Sequence, residues 1–207
     1  MADTSAFEDI AGRIGAHFAE KHTARETGLA GCRRIIRSSA NSIRAAHRGD
    51  YEAAESLLGE AGAAHQEVLD ALRPHPDIYH AGFLHDAQKE YAEARATLAL
   101  LSGQALPGPG DLQVEDAAYL NGIAETVGEL RRAMLDRLRS GDHARCEALL
   151  QAMDDIYSVL VTIDYPDAMT GGLRRSTDQA RGILEKSRGD LTMAIVMHQV
   201  TGRATQD

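Results

Sequence analysis

The sequence predicts an all-α protein, a single-domain bundle of about six to seven long antiparallel helices. Three observations predict it. Aromatic residues are 4% of the chain and Trp is absent, while Ala and Leu are abundant. Helices favour such a composition, whereas sheets favour branched and aromatic side chains. Apolar residues recur at helical spacing between well-placed breakers, and no stretch alternates with the period of a strand.

The elements follow in order. Ser5-Ala6-Phe7-Glu8 has the form of a capping box, in which Ser and Glu satisfy a helix N-terminus reciprocally. Helical spacing then runs to about Arg48, with a break expected near Thr23. Gly49-Asp50 stops one helix and caps the next, which runs to about Leu72. Pro74 and Pro76 force a turn, and a third helix is expected from Asp77 to Ser102. The segment from Gly103 to Gly110, with Pro107 and Pro109, is a loop. A fourth helix spans Val114 to Ser140, Gly141-Asp142 repeats the stop-and-cap pair, and a fifth helix runs to about Thr162. Pro166 and Gly171-Gly172 precede a last helix from Leu173 to near Met197, with a frayed tail expected from about Gly202. Short loops favour antiparallel neighbours.

The 207 residues suffice for one domain, 1–207, with a sizeable core. Cys32 and Cys146 have no metal-type spacing and read as buried, reduced thiols. The polar, acidic start from Met1 to Asp9 is unlike a signal peptide, and no apolar run is long enough to span a membrane. The expected location is the cytoplasm. The net charge of −9 by itself opposes nonspecific nucleic-acid binding, but the distribution of charge matters more.

On a helical wheel Arg33, Arg34, Arg37, Arg44 and Arg48 fall within an arc of about 100°, opposite Cys32, Ile35, Ile36, Ile43 and Ala46. The stripe is about 22 Å long, and no acid interrupts it. Arginine forks match phosphate geometry, so the stripe reads as an anion-binding track. The alternative is a solvated face paired with acids of other helices.

Glu90 and Glu93 lie one turn apart on the third helix, in a stripe extended by Asp86 and Thr97. Apolar residues flank both sides: Leu84, Ala87, Tyr91, Ala94 and Leu98 on one, Ala92, Ala96, Ala99 and Leu100 on the other. Carboxylates in such surroundings need compensation, and two of them one turn apart can ligate Mg²⁺ or Mn²⁺. Glu52 and Glu55 have the same spacing and read as surface. A ferritin-like centre needs two Glu-x-x-His motifs; the nearest match is Asp77-x-x-His80, which excludes it. Phosphate-binding glycine loops, Cys-x-x-Cys and the hydrolase nucleophile elbow are absent. Of nine scattered histidines, His47, His80 and His85 are those able to approach the arginine surface.

Leu112-Gln113-Val114-Glu115-Asp116, Gly128-Glu129-Leu130-Arg131-Arg132 and Ser140-Gly141-Asp142, with the Arg-rich first helix and the stretch from Tyr165 to Arg188, together resemble the translin and translin-associated factor X family. The run Glu90-Tyr91-Ala92-Glu93-Ala94 resembles the Glu-Tyr-Val-Glu-Ala stretch of the factor X branch. The resemblance implies about seven helices and assembly into a hollow, roughly octameric shell. It implies an Mg²⁺-dependent endoribonuclease that cuts single-stranded RNA to leave 5′-phosphate and 3′-hydroxyl ends. The implied catalytic positions are Glu90, Glu93 and Asp142, with Glu129 completing or supporting the metal site. One segment departs: where translin is basic before its third helix, this chain has Tyr79-His80-Ala81-Gly82. The first-helix stripe must therefore carry more of the RNA contact. Two other readings remain, a binding module that holds single-stranded RNA or DNA without cutting it, and a helical scaffold with no nucleic-acid role.

Overall fold

The computed structural model describes residues 5–204, with side chains described through 200. Among these residues every regular element is a helix. They are α1 (Ser5–His47), α2 (Tyr51–Leu72), α3 (Pro76–Tyr79), α4 (Phe83–Ser102), α5 (Pro109–Leu112), α6 (Asp116–Arg139), α7 (His143–Leu160), α8 (Asp167–Thr170) and α9 (Leu173–Ala204). Six are long, as the composition predicts, and α3, α5 and α8 are single turns. Ser5 is the first described residue and is already helical, so the capping box lies at the edge of what is described. Helix α9 continues past Gly202 to Ala204, and the rest of the expected frayed tail, 205–207, lies outside the described residues.

Two helix boundaries differ from expectation. α1 passes Thr23 without a break, and the Thr23 hydroxyl is satisfied within the helix by donating to the Ala19 carbonyl. The third expected helix is two elements, α3 and α4. Gly82 at φ +96° lies outside the helical region and separates them. The Gly-Asp pairs behave as read: Asp50 accepts from the Ala53 amide and Asp142 from the Arg145 amide, each capping its helix.

α1 and α2 form an antiparallel hairpin packed closely through glycine. A Cβ on Gly31 would lie 2.2 Å from Val68 Cγ2. The Ser42 hydroxyl donates to the Ala54 carbonyl farther along the pair. α6 and α7 are also antiparallel, as are α7 and α9, joined at Asp154–Arg188. α4 and α6 run in the same direction instead. The Glu115 amide donates to Gln88 near the start of both, and the Thr126 hydroxyl faces the Glu93 carbonyl a few turns on. The segment 103–115 is long enough to carry the chain back along α4, which a tight turn cannot do; Tyr119 anchors it through the Pro107 carbonyl. The core between the layers is aliphatic, with Ile35, Leu58, Leu84, Leu130, Met134 and Met153 fully buried. Cys32 and Cys146 are free and buried. No described helix is long and apolar enough to cross a membrane.

The first four turns of α1 stand apart from this core. Residues 5–20 are exposed throughout, and Phe7, Ile10, Ile14 and Phe18 form an uncovered apolar stripe at helical spacing. The far part of α9 exposes Met193, Val196, Met197 and Val200.

Candidate metal centre

The centre arises where α4 and α6 cross. Gly122 makes the approach possible: a Cβ there would lie 2.6 Å from the Lys89 carbonyl oxygen and 3.0 Å from the Glu93 amide. Helices this close bring together side chains that stand on their facing rims. Glu90 and Glu93 of α4 meet Glu125 of α6, and one carboxylate oxygen from each lies within 4.8 Å of the other two. Glu93 is buried at 9% exposure, and Glu90 and Glu125 are half-buried. One turn beyond Glu93 on the same stripe, Thr97 Oγ1 is buried with no hydrogen-bond partner.

The compensation for so much negative charge is small. Lys89 Nζ contacts Glu125 at 2.7 Å. Burial works against the lysine's charge, yet the bond to Glu125 holds its pKa above the usual value. Burial pushes the Glu93 carboxyl up to about 8, and Glu90, Glu125 and Glu129 add to the effect. Glu90 is also raised, first by burial and then by Glu125 and Asp86. Glu129, one turn past Glu125, behaves oppositely: a hydrogen bond from His47 and the nearby Arg132 hold its carboxyl below the usual range. His47 thereby ties the end of α1 to the rim of the centre.

The structure thus brings Glu90 and Glu93 together as expected and sets Glu129 at the edge. It does not bring Asp142 to the group. That carboxylate is exposed and accepts from the Arg145 amide at 3.0 Å, at the start of α7 beyond the far end of α6. Glu125 takes the third place, a residue that sequence reasoning missed. The signal for it was Glu125 and Glu129 themselves, two acids one turn apart beside Gly122 and Thr126. The surface reading of Glu52 and Glu55 fits: both are exposed, and Glu55 pairs with Arg95 at 2.7 Å.

All five stripe arginines are exposed, and the residues expected opposite them are buried or half-buried. Arg34 pairs with Glu67 of α2, and Arg44 contacts Asn41. Among the described residues Arg33, Arg37 and Arg48 have no ion pair. On the wheel Arg33 and Arg44 lie within about 60° of His47, the residue that touches Glu129. Only the C-terminal end of the stripe, next to His47, therefore comes near the rim of the group, at Glu129. On the other side, a cleft of about 400 Å³ opens against Lys89 and Glu125, lined also by His85, Asn121, Arg175 and Ser176.

No family model matches the chain. An uncharacterized protein of Methanocaldococcus jannaschii is 31% identical over 181 residues, which are 86% of this chain and 80% of that protein. Among solved structures, AfC3PO in a duplex RNA complex is 36% identical, with a TM-score of 0.84 over 90% of this chain and 97% of its own. The chain belongs to the translin (C3PO) family. AfC3PO by itself gives the same agreement at 35% identity. Apo-NeC3PO shares the translin fold, with a TM-score of 0.81 at 21% identity.

The pKa of Glu93 has a measurable consequence for stability. An unfolded glutamate releases its proton near pH 4.5, whereas folded Glu93 keeps it to about 8. Across that window the native state binds more protons than the unfolded one, so this group's contribution falls as pH rises. Glu93→Gln should therefore melt well above the wild type at pH 9 in EDTA and close to it at pH 4. An equal difference at both pH values would show that Glu93 titrates normally.

Proposed function

We propose that this protein is a divalent-cation-dependent endoribonuclease on the catalytic, factor X-like side of its family. The observation that carries the reading is the convergence of Glu90, Glu93 and Glu125 with so little positive charge near them. An all-oxygen, strongly acidic donor set suits Mg²⁺ or Mn²⁺. The orphaned Thr97 hydroxyl and the proton held on Glu93 mark a site whose charge is uncompensated without a cation. A bound cation would supply an activated water and charge neutralisation at phosphorus. The chain's own residues do the rest. Lys89 holds Glu125 in place, His47 keeps Glu129 oriented and ionised, and the arginine stripe seats the strand by its phosphates with little regard to sequence.

AfC3PO was solved with duplex RNA, and this supports RNA as the ligand here. The test is incubation of the purified protein with labelled single-stranded and duplex RNA, with Mg²⁺ or Mn²⁺ and with EDTA. Cleavage only with the cation is the expected result. Binding without cleavage would favour the alternative, a translin-like holder of single-stranded RNA or DNA.

The stripe can be tested separately. Arg37→Glu with Arg44→Glu should weaken binding across RNA sequences and flatten its salt dependence, since phosphate contacts release counterions. Both residues are exposed, so the fold should persist. Unchanged affinity would reassign the stripe to pairing between subunits.

We further propose a homo-oligomer, an octameric shell, located in the cytoplasm. The uncovered Phe7, Ile10, Ile14 and Phe18 stripe and the apolar end of α9 are surfaces that assembly would bury. Light scattering at micromolar concentration should give a mass near eight chains, and a monomer would remove this proposal.

A further inference from the structure

A cavity of about 310 Å³ lies at the far end of the arginine stripe, away from the cleft beside Lys89. Three guanidinium-bearing residues line it: Arg48 from the α1–α2 turn, Arg137 from the last turns of α6 and Arg145 from the first turn of α7. Arg145 is fixed in the wall, donating to the carbonyls of Leu101 at 2.9 Å and Leu100 at 3.4 Å. Tyr51 is fixed beside it through the same Leu101 carbonyl. Among the described residues Arg48 and Arg137 have neither an ion pair nor a side-chain hydrogen bond. The C-terminal ends of α1 and α6 favour cations here without using up their donors. The one acid in the lining, Asp136, is 3.7 Å from Arg139, which lies outside the cavity.

We propose that this cavity is a phosphate-binding subsite for a nucleic-acid strand, with Arg48 and Arg137 as its ligands and Arg145 as its fixed wall. The proposal rests on the RNA-binding reading above. Guanidinium forks with free donors, converging from separate elements, match the tetrahedral oxygens of a phosphate group. The position fits a strand that also passes the carboxylates. Arg48 follows His47, which contacts Glu129, and Arg137 lies about 12 Å beyond Glu129 along α6. A phosphate held here fixes how far the strand extends past the carboxylates. The phosphate is either an internal diester of the backbone or the monoester at a strand's 5′ end.

The test is Arg48→Gln with Arg137→Gln in the full-length protein. Binding is read by fluorescence anisotropy in EDTA, so that cleavage plays no part. The probes are one RNA sequence made with a 5′-phosphate and with a 5′-hydroxyl. The expected result is roughly a tenfold loss of affinity, with the slope of log K against log salt reduced by about 0.7 for one phosphate contact. Loss on both RNAs assigns the subsite to the backbone, and loss confined to the 5′-phosphorylated RNA assigns it to the strand end. The control is Arg25→Gln with Arg181→Gln, which removes the same charge from exposed pairs with Glu26 and Glu185 and should bind as the wild type does. Equal affinity of the cavity variant and the wild type for both RNAs overturns the subsite alone. If the wild type itself binds neither RNA, the nucleic-acid reading falls and the subsite with it.

Discussion

Glu93→Gln is expected to reduce RNA cleavage roughly a hundredfold or more, and Glu90→Gln and Glu125→Gln to do the same. Each change keeps the side chain's shape and removes a charge that a hard cation needs. The three oxygens lie within 4.8 Å of one another, so they act as one unit. Double and triple variants should then add little to any single one. RNA binding should persist, because the arginines lie on other surfaces. Glu129→Gln should be milder, since its partners are His47 and Arg132. Two controls separate geometry from sequence resemblance. Asp142→Asn should cut normally, because Asn caps a helix as well as Asp. Glu52→Gln, at the exposed pair, should also cut normally. Wild-type rates in the Glu90, Glu93 and Glu125 variants would leave the family's binding role as the working description.

Gly122→Ala is expected to damage both stability and cation binding. The added methyl meets backbone, the Lys89 carbonyl at 2.6 Å and the Glu93 amide at 3.0 Å, so a helix must move rather than a side chain. Overpacking of this kind costs about 1–3 kcal/mol, more than the gain of about 1 kcal/mol in helix propensity. The displaced helices carry the two halves of the carboxylate group, which should separate and hold Mn²⁺ less tightly. Gly128→Ala is the matched comparison on the same helix, where the nearest atom, Ile183 Cδ1, is 3.9 Å away. It should be neutral or slightly stabilising. Urea unfolding and Mn²⁺ titration of the two variants decide the matter; equal behaviour would mean that the crossing tolerates a methyl.

Much of this was legible in the sequence because it depends on neighbours along one helix. Glu90 and Glu93 share a helix, so their spacing alone places them together. The arginines share α1, and their exposure follows from the apolar residues opposite. Glu125 was not legible in the same way. Its contact with Glu93 depends on the crossing at Gly122, which periodicity within either helix does not encode. Asp142 was misleading for a local reason. Gly141-Asp142 repeats Gly49-Asp50, and both are stop-and-cap signals; the family likeness lent one of them a chemical role that its geometry does not share. The break at Gly82 was missed because apolar spacing continues across it, while the φ of +96° there belongs to the backbone and leaves no trace in periodicity.

The shared direction of α4 and α6 bears on the order in which the molecule becomes competent. No hairpin can join them, so the chain must travel back along α4 through 103–115 before Glu125 can reach Glu93. Closing that loop costs entropy, and the contacts that repay it form only when α6 docks. A chain emerging from the ribosome, or one caught partly folded, has Glu90 and Glu93 on a helix but no third carboxylate beside them. The three-carboxylate group is thereby a property of the completed tertiary structure, assembled only once α6 has docked on α4.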